Sequence, residues 1–113
     1  MKLISLKFKS VKSTNDIAHK LIKKKKTRPT IILSEKQTKG RGTMGKKWIS
    51  KKGNLFLTIF FDMSKKNLDF KEFAVLNACL LKSILVKKFS HKIKIKWPND
   101  LLFEGKKICG ILQ

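Results

Sequence analysis

The spacing of hydrophobic and polar residues along the chain predicts several strands and two helices. Residues 3–9 alternate apolar and polar side chains, which is the two-residue period of a half-buried strand. Residues 69–89 repeat apolar side chains at three- and four-residue steps, so we predict the longest helix and the main core helix there. Shorter apolar runs predict further strands at 30–33, 55–61, 93–97, 101–103 and 107–112.

A shorter helix is predicted directly after the first strand. Ser13 and Asp16 have the spacing of a capping box, apolar residues follow at helical spacing, and the cations of 23–26 suit the negative end of the helix dipole. Residues 55–61 are almost wholly apolar, which predicts a central strand covered on both faces. We therefore expect an α+β fold in which one mixed β-sheet carries the helices packed on one face.

Residues 37–48, QTKGRGTMGKKW, combine glycine, positive charge and an indole. Glycine lets the backbone turn and expose its N–H groups, cations neutralise an anion, and an indole can cover a flat ligand. The segment thus indicates a site for a phosphorylated ligand. It also spells G-x-G-x-x-G, with Asp62 near the position of a ribose-binding acid, and G-x-x-x-x-G-K, but no helical pattern follows either motif. We favour a basic loop that folds over a ligand, with a solvated turn as the alternative.

The net charge of +21 over 113 residues raises the possibility of a polyanion-binding module. Of the 28 basic residues, however, only Arg28 and Arg41 are arginine, the residue whose planar fork favours base recognition. No aromatic-basic ribonucleoprotein motif is present. We therefore expect lysine-rich solvated faces and no specific nucleic-acid partner, while nonspecific polyanion binding remains the alternative.

The few cysteines and histidines exclude two classes of small protein. Cys79 and Cys109 do not make a disulfide framework, and His19 and His91 lack the cysteine spacing of a zinc site. We see no apolar stretch as long as a signal peptide or a membrane span. The expectation is a reducing, cytoplasmic location, with no membrane partner and no resident metal.

Five segments together resemble a biotin–protein ligase, the catalytic domain of the biotin/lipoate ligase family. They are STND at 13–16, QTKGRGTMGKKW at 37–48, GNLFLT at 53–58, KWPND at 96–100 and KKICGIL at 106–112. The resemblance implies a class II synthetase-like fold that activates biotin with ATP and Mg²⁺ and transfers it to a lysine of the biotin carboxyl carrier protein of acetyl-CoA carboxylase. The G-R-G loop and KWPND favour biotin over lipoate or octanoate.

The resemblance also implies the site residues. The residues that it implies in contacts with biotin or nucleotide are Ser13, Thr14, Asn15, Gln37, Gly40, Arg41, Gly42, Thr43, Trp48, Lys96, Asn99, Lys107 and Gly110. Three residues are implied in catalysis. Lys107 matches the lysine that bridges the biotin carboxyl and the α-phosphate, Arg41 matches the loop arginine that meets both groups, and Asp100 matches a helper for magnesium or the acceptor amine.

The chain departs from the family pattern in two ways. Thr43 stands where the family commonly has a second loop arginine, and threonine cannot supply a fixed charge. Residues 1–113 match only the N-terminal portion of the catalytic domain, without a winged-helix domain or a C-terminal β-domain. The alternative hypothesis is a truncated remnant that binds biotin or a partner without turnover. Homodimer formation is left open.

Overall fold

Six strands and two helices follow one another much as the hydrophobic pattern predicts, in a computed structural model that describes residues 2–113. The chain forms two compact units, of which the first ends at Lys65 and the second spans Lys66–Gln113. The elements of the first unit are β1 (Ile4–Val11), α1 (Thr14–Lys23), β2 (Thr30–Gln37) and β3 (Phe56–Phe60). Those of the second unit are α2 (Phe70–Lys88), β4 (Ile93–Lys96), β5 (Asp100–Phe103) and β6 (Lys106–Gly110).

The first unit is a three-stranded sheet in the order β1-β2-β3, with α1 as the crossover between its two parallel strands. Strand β3 pairs antiparallel with β2 and lies at the edge, so the prediction of a central, doubly covered strand is wrong. Phe56 is buried on the face that α1 covers, whereas Leu57 and Ile59 on the other face are 39% and 50% exposed. Apolar composition alone did not reveal that one face of this strand is uncovered.

The second unit has its own antiparallel sheet in the order β4-β5-β6, with α2 packed on β4 and β5. Strand pairing in the described residues therefore gives two sheets, and the prediction of a single mixed sheet is wrong in this respect. The polar residues 64–67 lie at the boundary between the units.

Helix α2 begins where the pattern predicts, because Asp69 and Glu72 form a reciprocal capping box. Its expected role as the main core helix is only partly met, since Ala78 is its one fully buried residue among those described. Leu80 and Ile84, one turn apart, are both more than half exposed. Neither helix in the described part of the chain has the length and hydrophobicity that a bilayer span requires.

Candidate ligand-binding site

The glycine-rich segment after β2 folds back on itself as an irregular hairpin. Gln37 N–H donates to the carbonyl of Ser50 at 3.3 Å, and Trp48 N–H donates to the carbonyl of Gly40 at 2.9 Å. Closer to the tip, Gly42 N–H donates to the Lys46 carbonyl at 2.7 Å. No α-helix follows the glycines, and the next regular element is β3. The helix that a dinucleotide fingerprint or a P-loop requires is therefore missing, and both interpretations fail.

The tip of this hairpin is a tight turn at Thr43–Gly45. Met44 and Gly45 have φ angles of 56° and 73°, and Lys46 N–H donates to the carbonyl of Thr43 at 3.2 Å. Positive φ at both central residues is the signature of a type I′ turn, which matches the twist of a hairpin. Thr43 is exposed at the start of this turn.

The side-chain amide of Gln37 joins this hairpin to the start of α1. Its Oε1 accepts from the backbone N–H of Thr14 at 2.8 Å and from the Thr14 hydroxyl at 3.2 Å, while its Nε2 donates to Ser50 Oγ at 2.9 Å. The Thr14 hydroxyl also lies 2.9 Å from Thr58 Oγ1 on β3. Four segments of the first unit thus meet in one network of hydrogen bonds.

Ser13 caps α1, which is the structural role that the sequence also indicates for this residue. Its Oγ accepts from the N–H groups of Asn15 and Asp16 at 3.1 and 3.3 Å, and the residue is only 2% exposed. The carboxylate of Asp16 is 2.6 Å from Nη2 of Arg41, and this nitrogen also donates to Asn15 Oδ1 at 3.3 Å. The loop arginine is thus bound to the first turn of α1.

Gly40 lies at the closest approach of the two hairpin arms. A Cβ atom on this residue would lie 2.4 Å from Ser50 Oγ and 2.5 Å from the Trp48 carbonyl oxygen. At Gly42 the corresponding nearest atom is 3.6 Å away, and Cε3 of the half-buried Trp48 indole lies at 4.0 Å. Glycine is therefore required at Gly40, whereas Gly42 has room for a side chain.

An open depression of about 730 Å³ lies along the hairpin, which is within the usual size range of small-molecule sites. Its charged residues are Asp16, Lys39, Arg41, Lys46, Lys47 and Lys51. Five cations against one carboxylate give this surface a positive potential that suits an anionic ligand.

The second unit brings together the predicted residues of KWPND and of the last strand. Nζ of Lys107 is 3.0 Å from Oδ1 of Asp100, whose side chain is 17% exposed. The side-chain amide of Asn99 donates to the carbonyl of Ile111 at 2.8 Å, and the Ile111 N–H donates back to the Asn99 carbonyl at 2.9 Å. The β-sheet register then places Lys96 and Gly110 each beside Asp100.

Cys109 lies next to this ion pair, and the charges of Asp100 and Lys107 affect the pKa of its thiol. Burial raises the pKa of the Cys109 thiol, the carboxylate of Asp100 raises it further, and the ammonium of Lys107 acts in the opposite direction. Both cysteines are free thiols. In residues 2–113 no group of three histidine, cysteine or acidic residues has the geometry of a metal site.

Ser50, Thr58 and the pairing of Asp16 with Arg41 are not predicted from the sequence. A hairpin in the glycine segment would place Ser50 beside Gln37. Asp16 is interpreted from the sequence as a helix-capping residue, so its contact with Arg41 is not expected. Asp62 proves to be a turn residue, because its Oδ1 accepts from Ser64 N–H at 2.8 Å, and this hydrogen bond lowers the pKa of Asp62. The roles that the resemblance implies for individual site residues stay predictions.

Comparison with known sequences gives one family. A family model described as the biotin/lipoate A/B protein ligase family matches residues 7–113. The bifunctional ligase/repressor BirA of Bacillus subtilis (strain 168) is 32% identical over 101 residues, which cover 88% of this chain and 31% of that protein. The biotin–[acetyl-CoA-carboxylase] ligase of Paracoccus denitrificans is 31% identical over 83 residues, covering 72% of this chain and 35% of that protein.

Comparison with solved structures agrees with this family. The biotin acetyl coenzyme A carboxylase synthetase of Helicobacter pylori with bound biotinylated ATP matches with a TM-score of 0.84 and 27% identity, over 98% of this chain and 54% of that one. The biotin protein ligase of Aquifex aeolicus in complex with biotin and ATP matches with a TM-score of 0.80 and 31% identity, over 98% and 45%. The expected α+β ligase fold is confirmed, and the chain spans about half of these structures and about a third of the curated relatives.

The close packing at Gly40 predicts a large difference between two glycine substitutions. Gly40→Ala should lower the free energy of unfolding by about 1–3 kcal/mol, because the new methyl group overlaps a backbone carbonyl oxygen. Gly42→Ala, with ordinary contact distances, should change it by less than about 0.5 kcal/mol. Urea unfolding of both variants measures the difference, and equal effects would contradict the observed hairpin.

The surroundings of Cys109 predict opposite effects of two charge removals on its pKa. In a Cys79→Ser background, Asp100→Asn should lower the Cys109 pKa and speed its alkylation by iodoacetamide, whereas Lys107→Met should raise the pKa and slow the reaction. The pH dependence of the alkylation rate gives each pKa. Shifts in the same direction would show that the ion pair does not act on this thiol through its charges.

Proposed function

We propose that this chain, which belongs to the biotin/lipoate A/B protein ligase family, acts as a biotin–protein ligase. The protein activates biotin with ATP and transfers it to a lysine of a carrier protein. In the first step a carboxylate oxygen of biotin attacks the α-phosphorus of ATP, biotinyl-AMP forms and pyrophosphate leaves. In the second step the lysine amine attacks the biotinyl carbonyl carbon, an amide forms and AMP leaves. The observation that supports this most strongly is the basic hairpin at 37–50, held against the first turn of α1.

The first step sets the electrostatic requirement of such a site. A carboxylate and a triphosphate repel each other, and negative charge builds up around the α-phosphorus as the adenylyl group is transferred. Fixed cations and N–H donors lower this barrier because they need no reorganisation during the reaction. In the first unit, Arg41 and the lysines of the hairpin supply the positive charge.

Individual roles follow the family pattern, and the geometry of each unit is consistent with them. In the first unit, Thr14, Asn15 and Gln37 line the start of α1 with short polar groups suited to the ureido ring of biotin. Trp48 has its indole beside the Gly42 backbone, a position suited to covering the adenine. In the second unit, Lys107 carries the charge that bridges carboxyl and α-phosphate, and Asp100 orients it through their 3.0 Å contact.

Magnesium enters this proposal as part of the substrate. No three-ligand metal site is found in residues 2–113, and Mg²⁺ is commonly held by nucleotide phosphates with one or two carboxylates. We therefore assign it to the ATP complex. The acceptor is the biotin carboxyl carrier protein of acetyl-CoA carboxylase, and the reaction takes place in the cytoplasm, in keeping with two unpaired cysteines. These residue roles are compatible with a monomer and with a homodimer.

A second candidate function is biotin binding without turnover. Its support is the exposed apolar surface, since Leu57 and Ile59 on β3 and Leu80 and Ile84 on α2 are each at least 39% exposed. Apolar surface of this kind is typical of a face that another polypeptide segment covers. In this second function the protein binds biotin at its hairpin and does not form biotinyl-AMP.

Biotin-dependent exchange of pyrophosphate into ATP separates the two candidates, because it reports the first step without any carrier protein. The wild-type protein should catalyse the exchange. Lys107→Ala should lower the rate about 10²- to 10³-fold, the usual effect of removing one preorganised charge from a transition state. The matched control is Lys106→Ala, which removes the neighbouring exposed lysine and should retain the rate. No exchange by the wild type would contradict ligase activity. Exchange by the wild type with equal rates for both variants would contradict the role assigned to Lys107.

A further inference from the structure

Arg41 is held by the first turn of α1 through one of its two terminal nitrogens. Nη2 contacts both Asp16 Oδ1, at 2.6 Å, and Asn15 Oδ1, at 3.3 Å. A guanidinium group carries five N–H donors in a rigid plane, and these two contacts use only the donors of Nη2. The three donors on Nε and Nη1 take no part in them. The arginine side chain is 45% exposed, so a ligand can reach it.

We propose that Asp16 is a positioning residue, which holds Arg41 so that the remaining donors of its guanidinium face the anionic group of the ligand. This inference rests on the proposed function, because that function supplies the anion. Ser13 caps the helix that presents the Asp16 carboxylate, and Gln37 anchors the hairpin that presents Arg41. Both partners are thus attached to anchored backbone. A long arginine side chain loses much rotamer freedom when it binds a ligand, and the Asp16 contact lowers that cost before binding.

The alternative is that Asp16 masks Arg41 and competes with the ligand. The two possibilities predict opposite signs for the same substitution. A carboxylate near an anion site repels the ligand, so its removal alone should strengthen binding. A loss of affinity on removing this charge therefore shows that orientation of Arg41 outweighs repulsion. The contact geometry favours orientation, since Asp16 and Asn15 leave the remaining donors of the guanidinium available.

The test compares biotin with biotinamide, which lacks the negative charge, by isothermal titration calorimetry. Asp16→Asn should weaken the binding of biotin about tenfold and change that of biotinamide by less than about twofold. In an Arg41→Ala background, Asp16→Asn should no longer weaken the binding of biotin, because no guanidinium is left to orient and only the repulsion by the carboxylate is removed. The matched control is Glu35→Gln, which removes the same charge from the ion pair with Lys52 in the same unit and should leave both affinities unchanged.

Each other outcome overturns the inference in a recognisable way. Tighter binding of biotin by Asp16→Asn would show that Asp16 masks Arg41. Equal losses for biotin and biotinamide would show that Asp16 only stabilises the fold. If wild-type protein binds neither compound, the proposed function itself fails, whereas binding by the wild type with no effect of Asp16→Asn leaves that function standing and removes the positioning role.

Discussion

The first unit depends on the side-chain amide of Gln37. This single group holds the end of β2, the start of α1 and the returning arm of the hairpin, through bonds to Thr14 and Ser50. An amide that loses its partners in a partly buried position costs about 1–3 kcal/mol, so the three segments are strongly favoured in one arrangement. Gly40 makes that arrangement sterically possible, because any larger residue would overlap the opposite arm. The position of Arg41 relative to α1 follows from this constraint.

Positive charge has two distinct roles in this protein. The net charge of +21 attracts any anion over a long range, and this attraction is sensitive to salt and carries little selectivity. Selectivity requires donors at fixed positions. Arg41 and Lys107 are each held by a carboxylate, Asp16 and Asp100 respectively, within their own units, whereas most lysines lie exposed without such a contact. Arg41 and Lys107 are also the two cations that we propose to act in catalysis, and the other lysines contribute to the surrounding potential.

Helices and strands could be placed from periodicity to within a few residues, since local patterning determines where they begin. Which residues pack over each helix or strand could not be predicted from periodicity. Strand β2 continues to Gln37 because its polar end pairs with β1 through the backbone, which side-chain pattern does not reveal. The hairpin contacts of Ser50 and the pairing of Asp16 with Arg41 are long-range and join polar residues, so no hydrophobic signal marks them. Lys107 and Asp100 were each recognised by motif, but their contact depends on the β5–β6 register, including its irregularity between Leu101 and Leu102.

The central claim is that this chain forms a site for activated biotin, and a thermal melt tests it most directly. The protein is heated alone and with a nonhydrolysable biotinyl-adenylate analogue at about a hundredfold excess over its Kd. A ligand that binds only the folded state adds about 2.7 kcal/mol at that excess, so the midpoint should rise by about 10 °C. A cooperative melt with that shift would support the account. A melt whose midpoint does not change with the analogue would contradict it, and the family resemblance would then describe ancestry alone.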